Sequence, residues 1–318
     1  MAATSWSPKH APLEFRGECD VVLGRDELEQ EFRALIADVI GRLRETQTPF
    51  EALESEWEAI ESLDSEAREF CQACALMGLD PFDIDVRTAD RIARVWNQLD
   101  PAIREETLGS AREDSLEEVQ TWLGHWLESA EQKDSGEHWH AVRHAVRARS
   151  ATGNLPWRRG YDDARAVREE LAAAPGRFDF DDRGPRAIWS QDVEESPSPR
   201  IQGCVASDSP SCVVVRKPLT GRRFLLARAL GDYMGREEPG PAILATIETA
   251  RQAQSRAFAA EFLAPAEWVR TQVGHARFVD GEAMDDFAAE LGVSSWVVRH
   301  QIQNHDIAEI SSFAWPSA

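Results

Sequence analysis

Between residues 26 and 149 the apolar side chains recur at intervals of three and four, and near Ser150 that regularity stops. An α-helix repeats every 3.6 residues, so such a stretch buries its apolar side only as a set of amphipathic helices. Leu28, Phe32, Leu35, Ile36, Val39, Ile40 and Leu43 predict a helix over 26–44. Leu53, Trp57 and Ile60 repeat the pattern over 50–63. Ser65 stands where an N-cap opens a third helix, whose stripe of Phe70, Cys71, Cys74 and Met77 ends at Gly78. Further helices are expected over 88–99, closed by Asp100-Pro101, over 116–127 and over 138–149.

After the break, 150–161 reads as a loop and 161–174 as a helix. Residues 175–212 are rich in Pro, Gly, Ser and Asp and suit short strands such as 187–189 and 203–206, while CVVVR over 212–216 is a strong strand. A helix is expected over 220–234 and one longer helix over 243–263, stopped at Ala264-Pro265. Residues 282–304 read as two short helices around Gly292-Val293-Ser294. The expected fold class is α+β and mostly helical: an irregular arm over 1–20, a helical domain over 21–150, a mixed domain over 151–275 and a helical tail over 276–318.

The 318 residues include 56 acidic and 35 basic side chains, a net charge of −21, and the first hundred hold 22 acidic and 10 basic. Nucleic-acid phosphates need clustered Lys and Arg, so this balance disfavours a nucleic-acid partner, and it disfavours an anionic membrane surface equally. No apolar run approaches the roughly 20 residues of a membrane span. Residues 1–18 lack the basic start and apolar core of a signal peptide. Cys19, Cys71, Cys74, Cys204 and Cys212 are an odd, sparse set, as in a reduced intracellular protein. The expected setting is cytoplasmic.

Two blocks carry the most specific pattern: TGRRFLLARALGDYM over 220–234 and RQAQSRAFAAEFLAP over 251–265. The pair resembles the ImmA/IrrE family of metallopeptidases, whose members typically read RRFTLAHELGH and then EANRFAAELLMP. The shared frame is Arg222-Arg223-Phe224, Leu226-Ala227 and Leu230-Gly231, then Phe258-Ala259-Ala260-Glu261, Leu263 and Pro265. A looser likeness extends to 69–83, 155–171 and 291–308, so it spans most of the chain and is specific only in the two blocks. The resemblance implies a zincin-like domain in which two His one helical turn apart hold zinc, the Glu between them acts as general base, and a further Glu completes the ligands.

Here the frame remains and the chemistry is gone. The first His falls on Arg228, the general base on Ala229, the second His on Asp232 and the third ligand on Gln254. Arginine stays protonated and cannot ligate zinc, and alanine offers no base. No catalytic residue, metal or cofactor is therefore assigned. The degenerate cleft is expected to comprise Arg222, Arg223, Arg228, Ala229, Asp232, Gln254, Arg256 and Glu261. Arg228 and Asp232, four apart, are expected to form an ion pair there, with Gln254 hydrogen-bonding across from the second helix. Arg216, Lys217, Arg222, Arg223 and Arg228 form a basic strip without an acid. That strip either receives an acidic peptide, a phosphate or the chain's own N-terminal half, or neutralises neighbouring Asp and Glu.

Other patterns favour packing. Cys71 and Cys74 form CxxC on a helical stripe, a core arrangement. His138, His140 and His144 suit a polar helix face, and His300, His305 and Asp306 make a poor metal set. The segment from Ser294 looks like half of a helix-turn-helix but has only Arg299 to meet phosphate, which suits a docking tail. Trp157, Trp189, Trp268, Trp296 and Trp315 fit core or subunit contacts. No phosphate loop and no Gly-x-Ser-x-Gly elbow is present.

The resemblance thus implies a catalytically inactive pseudo-peptidase that recognises a protein partner through the old cleft: a regulator, an antitoxin or a phage-defence component. The alternative is a peptidase with a rearranged metal site built from Asp232, Glu261, His275 or an N-terminal His. The third arrangement is a structural role in a homo-oligomer.

Overall fold

The structure, a computed structural model, describes residues 24–48, 50–133, 137–148, 155–180 and 187–311. The arm expected over 1–20, with Cys19 and its histidine, and Trp315 lie outside the described residues. The chain divides into two compact units, Met1–Ser62 and Leu63–Ala318.

In the first unit α1 (Arg25–Glu45) and α2 (Glu51–Glu61) form a hairpin. Arg44 donates to both carboxylate oxygens of Glu54 at 3.2 and 2.9 Å. Arg33 pairs with Glu61 and lies 5.9 Å over the Trp57 ring.

The second unit opens with α3 (Ser65–Leu76), α4 (Val86–Gln98), α5 (Pro101–Ser110), α6 (Leu116–Glu131), α7 (Glu137–Arg147) and α8 (Pro156–Glu170). Next come β1 (Ser190–Val193), β2 (Ile201–Val205), β3 (Cys212–Val215), α9 (Leu219–Gly235), β4 (Ala242–Ala245) and α10 (Ala250–Leu263). The unit closes with α11 (Ala266–Val273), β5 (Phe278–Val279), α12 (Gly281–Leu291), α13 (Ser295–Asn304) and β6 (Glu309–Ile310). The fold is α+β and mostly helical.

The central sheet runs β1-β3-β2-β4, with β1 parallel to β3 and the other pairs antiparallel. Alternation along the strands sorts its side chains between two cores. Val205, Cys212, Val214, Ala242 and Leu244 join the core built with α7 to α13. Cys204, Val213, Ile243 and Ala245 join the core built with α3 to α6. Helices α3 to α6 therefore cover one face of the sheet that the later residues form, α7 packs on the other, and the composition break falls inside one compact unit.

Several boundaries move, each for a local reason. The N-cap of α3 is Asp64, whose carboxylate accepts from Ala67 N at 2.8 Å, so Ser65 is the first helical residue. Asp85 caps α4, which starts at Val86, two residues before the expected start. Asp100-Pro101, read as a stop, is also a start: Asp100 accepts from Ala102 N and Pro101 occupies the first turn of α5, where its missing N–H costs nothing. The helix expected over 243–263 is two elements. Residues 242–245 pair with β2, and Thr249, accepting from Gln252 N at 3.2 Å, opens α10. A four-residue apolar run has no period of its own, and an available strand edge decides it. The first strand lies over 190–193 rather than 187–189. Among the described residues no helix is long and apolar enough to cross a membrane.

Candidate functional site

α8, α9 and α10 meet at two glycines. A Cβ on Gly231 of α9 would lie 2.5 Å from Phe258 Cγ of α10, and one on Gly160 of α8 would run into Gln254 O and come within 2.9 Å of Phe258 N. Lacking side chains there, the helices approach closely. Beside this junction lies a cleft of about 310 Å³, lined by Gly231, Asp232 and Gly235 from α9 and by Arg251, Gln254 and Ser255 from α10. Glu237 and Glu238 stand at its lip, both exposed.

The expected Arg228–Asp232 ion pair is not made. Arg228 is 2% exposed and turns toward the sheet, where it donates to Gln202 Oε1 at 2.7 Å, to Ala245 O at 2.8 Å and to Gln252 Oε1. Asp232, 4% exposed, accepts instead from Arg236 Nε at 2.6 Å and lies 3.7 Å from Arg251 Nη1. The direction of helical side chains explains the exchange. They lean toward the helix N-terminus, so Arg228 leans away from Asp232 while Arg236, one turn later, leans back onto it. Acid before base is also the more favourable order at i,i+4. Desolvation lowers the Arg228 guanidinium to about 10, helped by Arg256 and opposed by Asp232 and Glu106, so it remains charged at neutral pH. Burial also acts to lower Arg251, but Asp232 and Glu106 more than offset it and raise its pKa.

Gln254 does not reach across to either residue. Its amide lies against Gly235 and donates to Asp163 Oδ2 of α8 at 3.2 Å. The residue on α10 that meets Arg228 is Gln252, which sequence reasoning missed. Its Oε1 accepts from Arg228 and from Ala245 N at 3.0 Å, and its Nε2 donates to Ile243 O at 2.8 Å and to Glu106 Oε2 at 2.7 Å. Glu106, on the unexpected α5, also accepts from Thr249 Oγ1 at 2.6 Å and from Arg251. A continuous polar chain therefore runs Arg228, Gln252, Glu106, Arg251, Asp232, Arg236. No sequence pattern marked Gln252 or Glu106. Arg236 was missed too, although its place four residues after Asp232 is a signal that could have found it.

The remaining expected cleft residues lie elsewhere. Glu261, 2% exposed, accepts from Arg165 Nε at 2.9 Å and Gln301 Nε2 at 2.7 Å, with His305 Nε2 at 3.5 Å. Arg222 donates to Asp192 at 2.9 Å and to Ser190 Oγ at 2.8 Å. Arg223 is 6% exposed and binds Asp179 and Phe178 O, and Arg216 pairs with Glu194. Most of the basic strip is therefore not an open cationic surface: acids neutralise three of its arginines and the fourth is buried, while Lys217 is exposed. Arg256 donates to Ile247 O and Glu248, both at 3.1 Å, and Ala229 is fully buried.

These residues do not fit zinc. A guanidinium fills the first ligand position, the Asp232 carboxylate is engaged by two guanidinium groups, and Gln254 is neutral. Among the described residues no group of three or more His, Cys, Asp or Glu side chains could hold a metal ion. Cys74 is buried in the core against α3 to α6, and His140 Nδ1 meets Tyr233 Oη at 2.9 Å. No family model matches the chain, and no curated protein matches it.

Proposed function

We propose that this chain is a catalytically inactive, ImmA/IrrE-like pseudo-peptidase that acts in the cytoplasm as a regulatory protein-binding module. Its partner is a regulator, antitoxin or phage-defence component, received at the cleft between α9 and α10. The observation that carries this reading is the cleft of about 310 Å³ beside Asp232, whose carboxylate is held by Arg236 and Arg251 rather than presented for chemistry. A preformed concave volume without a nucleophile, base or ligand set suits recognition. Glu237 is shared with Arg159 at 3.4 Å, and Glu238 beside it at the lip favours a partner segment bearing Lys or Arg.

The test is to isolate the partner that copurifies with the native chain and to measure its affinity for the double variant Glu237→Lys, Glu238→Lys. Both sites are exposed, so the fold should hold while affinity falls by about tenfold or more. Unchanged affinity, or stoichiometric zinc accompanied by cleavage of the partner, overturns the reading.

A further inference from the structure

We infer that the first unit carries a separate docking face, along Leu28, Phe32, Leu35 and Val39 of α1, for a basic amphipathic helix of a protein partner. The inference rests on that unit alone and does not require the cleft to bind anything. These four residues follow one another at intervals of four, three and four, the spacing of a coiled-coil seam. They are 42%, 55%, 57% and 42% exposed. A helix with one apolar stripe against its neighbour would leave charged residues outside. α1 has two stripes. The side carrying Arg33 and Arg44 meets α2 through Trp57, Glu61 and Glu54, and Ile40 is 6% exposed. The second stripe has no cover among the described residues of this unit, and an apolar stripe on an otherwise polar helix marks an interaction surface.

Charge selects the occupant. Residues 24–62 hold eleven acidic and four basic side chains. Glu31 and Asp38 flank the open seam, are exposed, and make no ion pair among the described residues, whereas Glu45 is already held by Arg42 at 3.0 Å. An antiparallel second copy would set this acidic row against itself. A parallel copy would face it with Ile36 and Leu43, which have no charge to offer. A helix with an apolar seam bordered by Lys or Arg satisfies both features.

The test uses the full chain and two synthetic helices of the 21-residue length of α1. Both carry a leucine seam, one flanked by lysine and the other by glutamate. Fluorescence anisotropy should show the lysine peptide binding about tenfold tighter or more than the glutamate peptide. Phe32→Glu or Leu35→Glu should remove that binding with the helical circular dichroism unchanged, because both sites are exposed. Glu31→Lys with Asp38→Lys should reverse the preference. Equal binding of the two peptides, or binding that survives Phe32→Glu, overturns the inference. So does a concentration-dependent dimer in sedimentation that Phe32→Glu abolishes, which would make a second copy the occupant.

Discussion

The Gln252 amide donates to the Glu106 carboxylate at 2.7 Å across 146 residues of chain, which fastens α10 to α5. Glu106 is 7% exposed and has Thr249, Arg251 and Gln252 as donors. Replacing it with alanine leaves the Arg251 charge only the more distant Asp232, at 3.7 Å, and takes one of two acceptors from the Gln252 amide, which keeps Ile243 O. Glu106→Ala should therefore lower urea stability by about 3–5 kcal/mol, and Glu106→Gln by less, because one oxygen still accepts.

Arg228 and Asp232 share a helix and do not touch, while Arg236 holds Asp232. A double-mutant cycle in urea denaturation should give a larger coupling energy for Asp232 with Arg236 than for Asp232 with Arg228. Arg228→Ala alone should be costly, about 1–3 kcal/mol for each buried acceptor left unpaired, with Gln202 and Ala245 the first in line. A coupling that is larger for the 228–232 pair would contradict the geometry.

The two glycines at the helix junction should differ in tolerance. Gly231→Ala meets the fully buried Phe258 at Cγ, Cδ1 and Cβ, so the root of that side chain must move, at a cost of about 3 kcal/mol. Gly160→Ala meets the α10 backbone at Gln254 O and Phe258 N, which cannot shift without moving the helix, so it should cost more. Thermal unfolding of the two variants under one buffer condition ranks them.

Burial lowers the His305 pKa below its ordinary value of 6.5, with Glu261 opposing. The unfolded chain then binds the proton more readily than the folded one. Stability from this residue is complete above about 6.5 and is lost as pH falls through that value toward the lowered one. His305→Gln should flatten the dependence of the unfolding midpoint on pH in that window, and an unchanged slope would assign the acid sensitivity to other groups.

Much of the fold was readable where periodicity is long. The 26–44 pattern matches α1 within a residue at each end, and the αL glycine at Gly292 divides α12 from α13 where the sequence places the break. The four residues of β4 were not readable, because Ala-Ile-Leu-Ala gains its strand conformation only from pairing with β2. The site was half-legible for a related reason. Asp232 was placed on the correct helix, but the partner of Arg228 depended on Gln252 and on Glu106 of α5, contacts that no local spacing encodes.

The doubly held Asp232 also constrains how this cleft could change over generations. Each member of the chain from Arg228 to Arg236 is buried or partly buried and satisfies its neighbour. A single substitution of Asp232 leaves Arg236 and Arg251 without that acid, and one of Arg228 leaves the Gln252 and Ala245 oxygens without that donor. Changes at these two positions are therefore coupled to their partners, and they should be tolerated as concerted substitutions rather than as single ones.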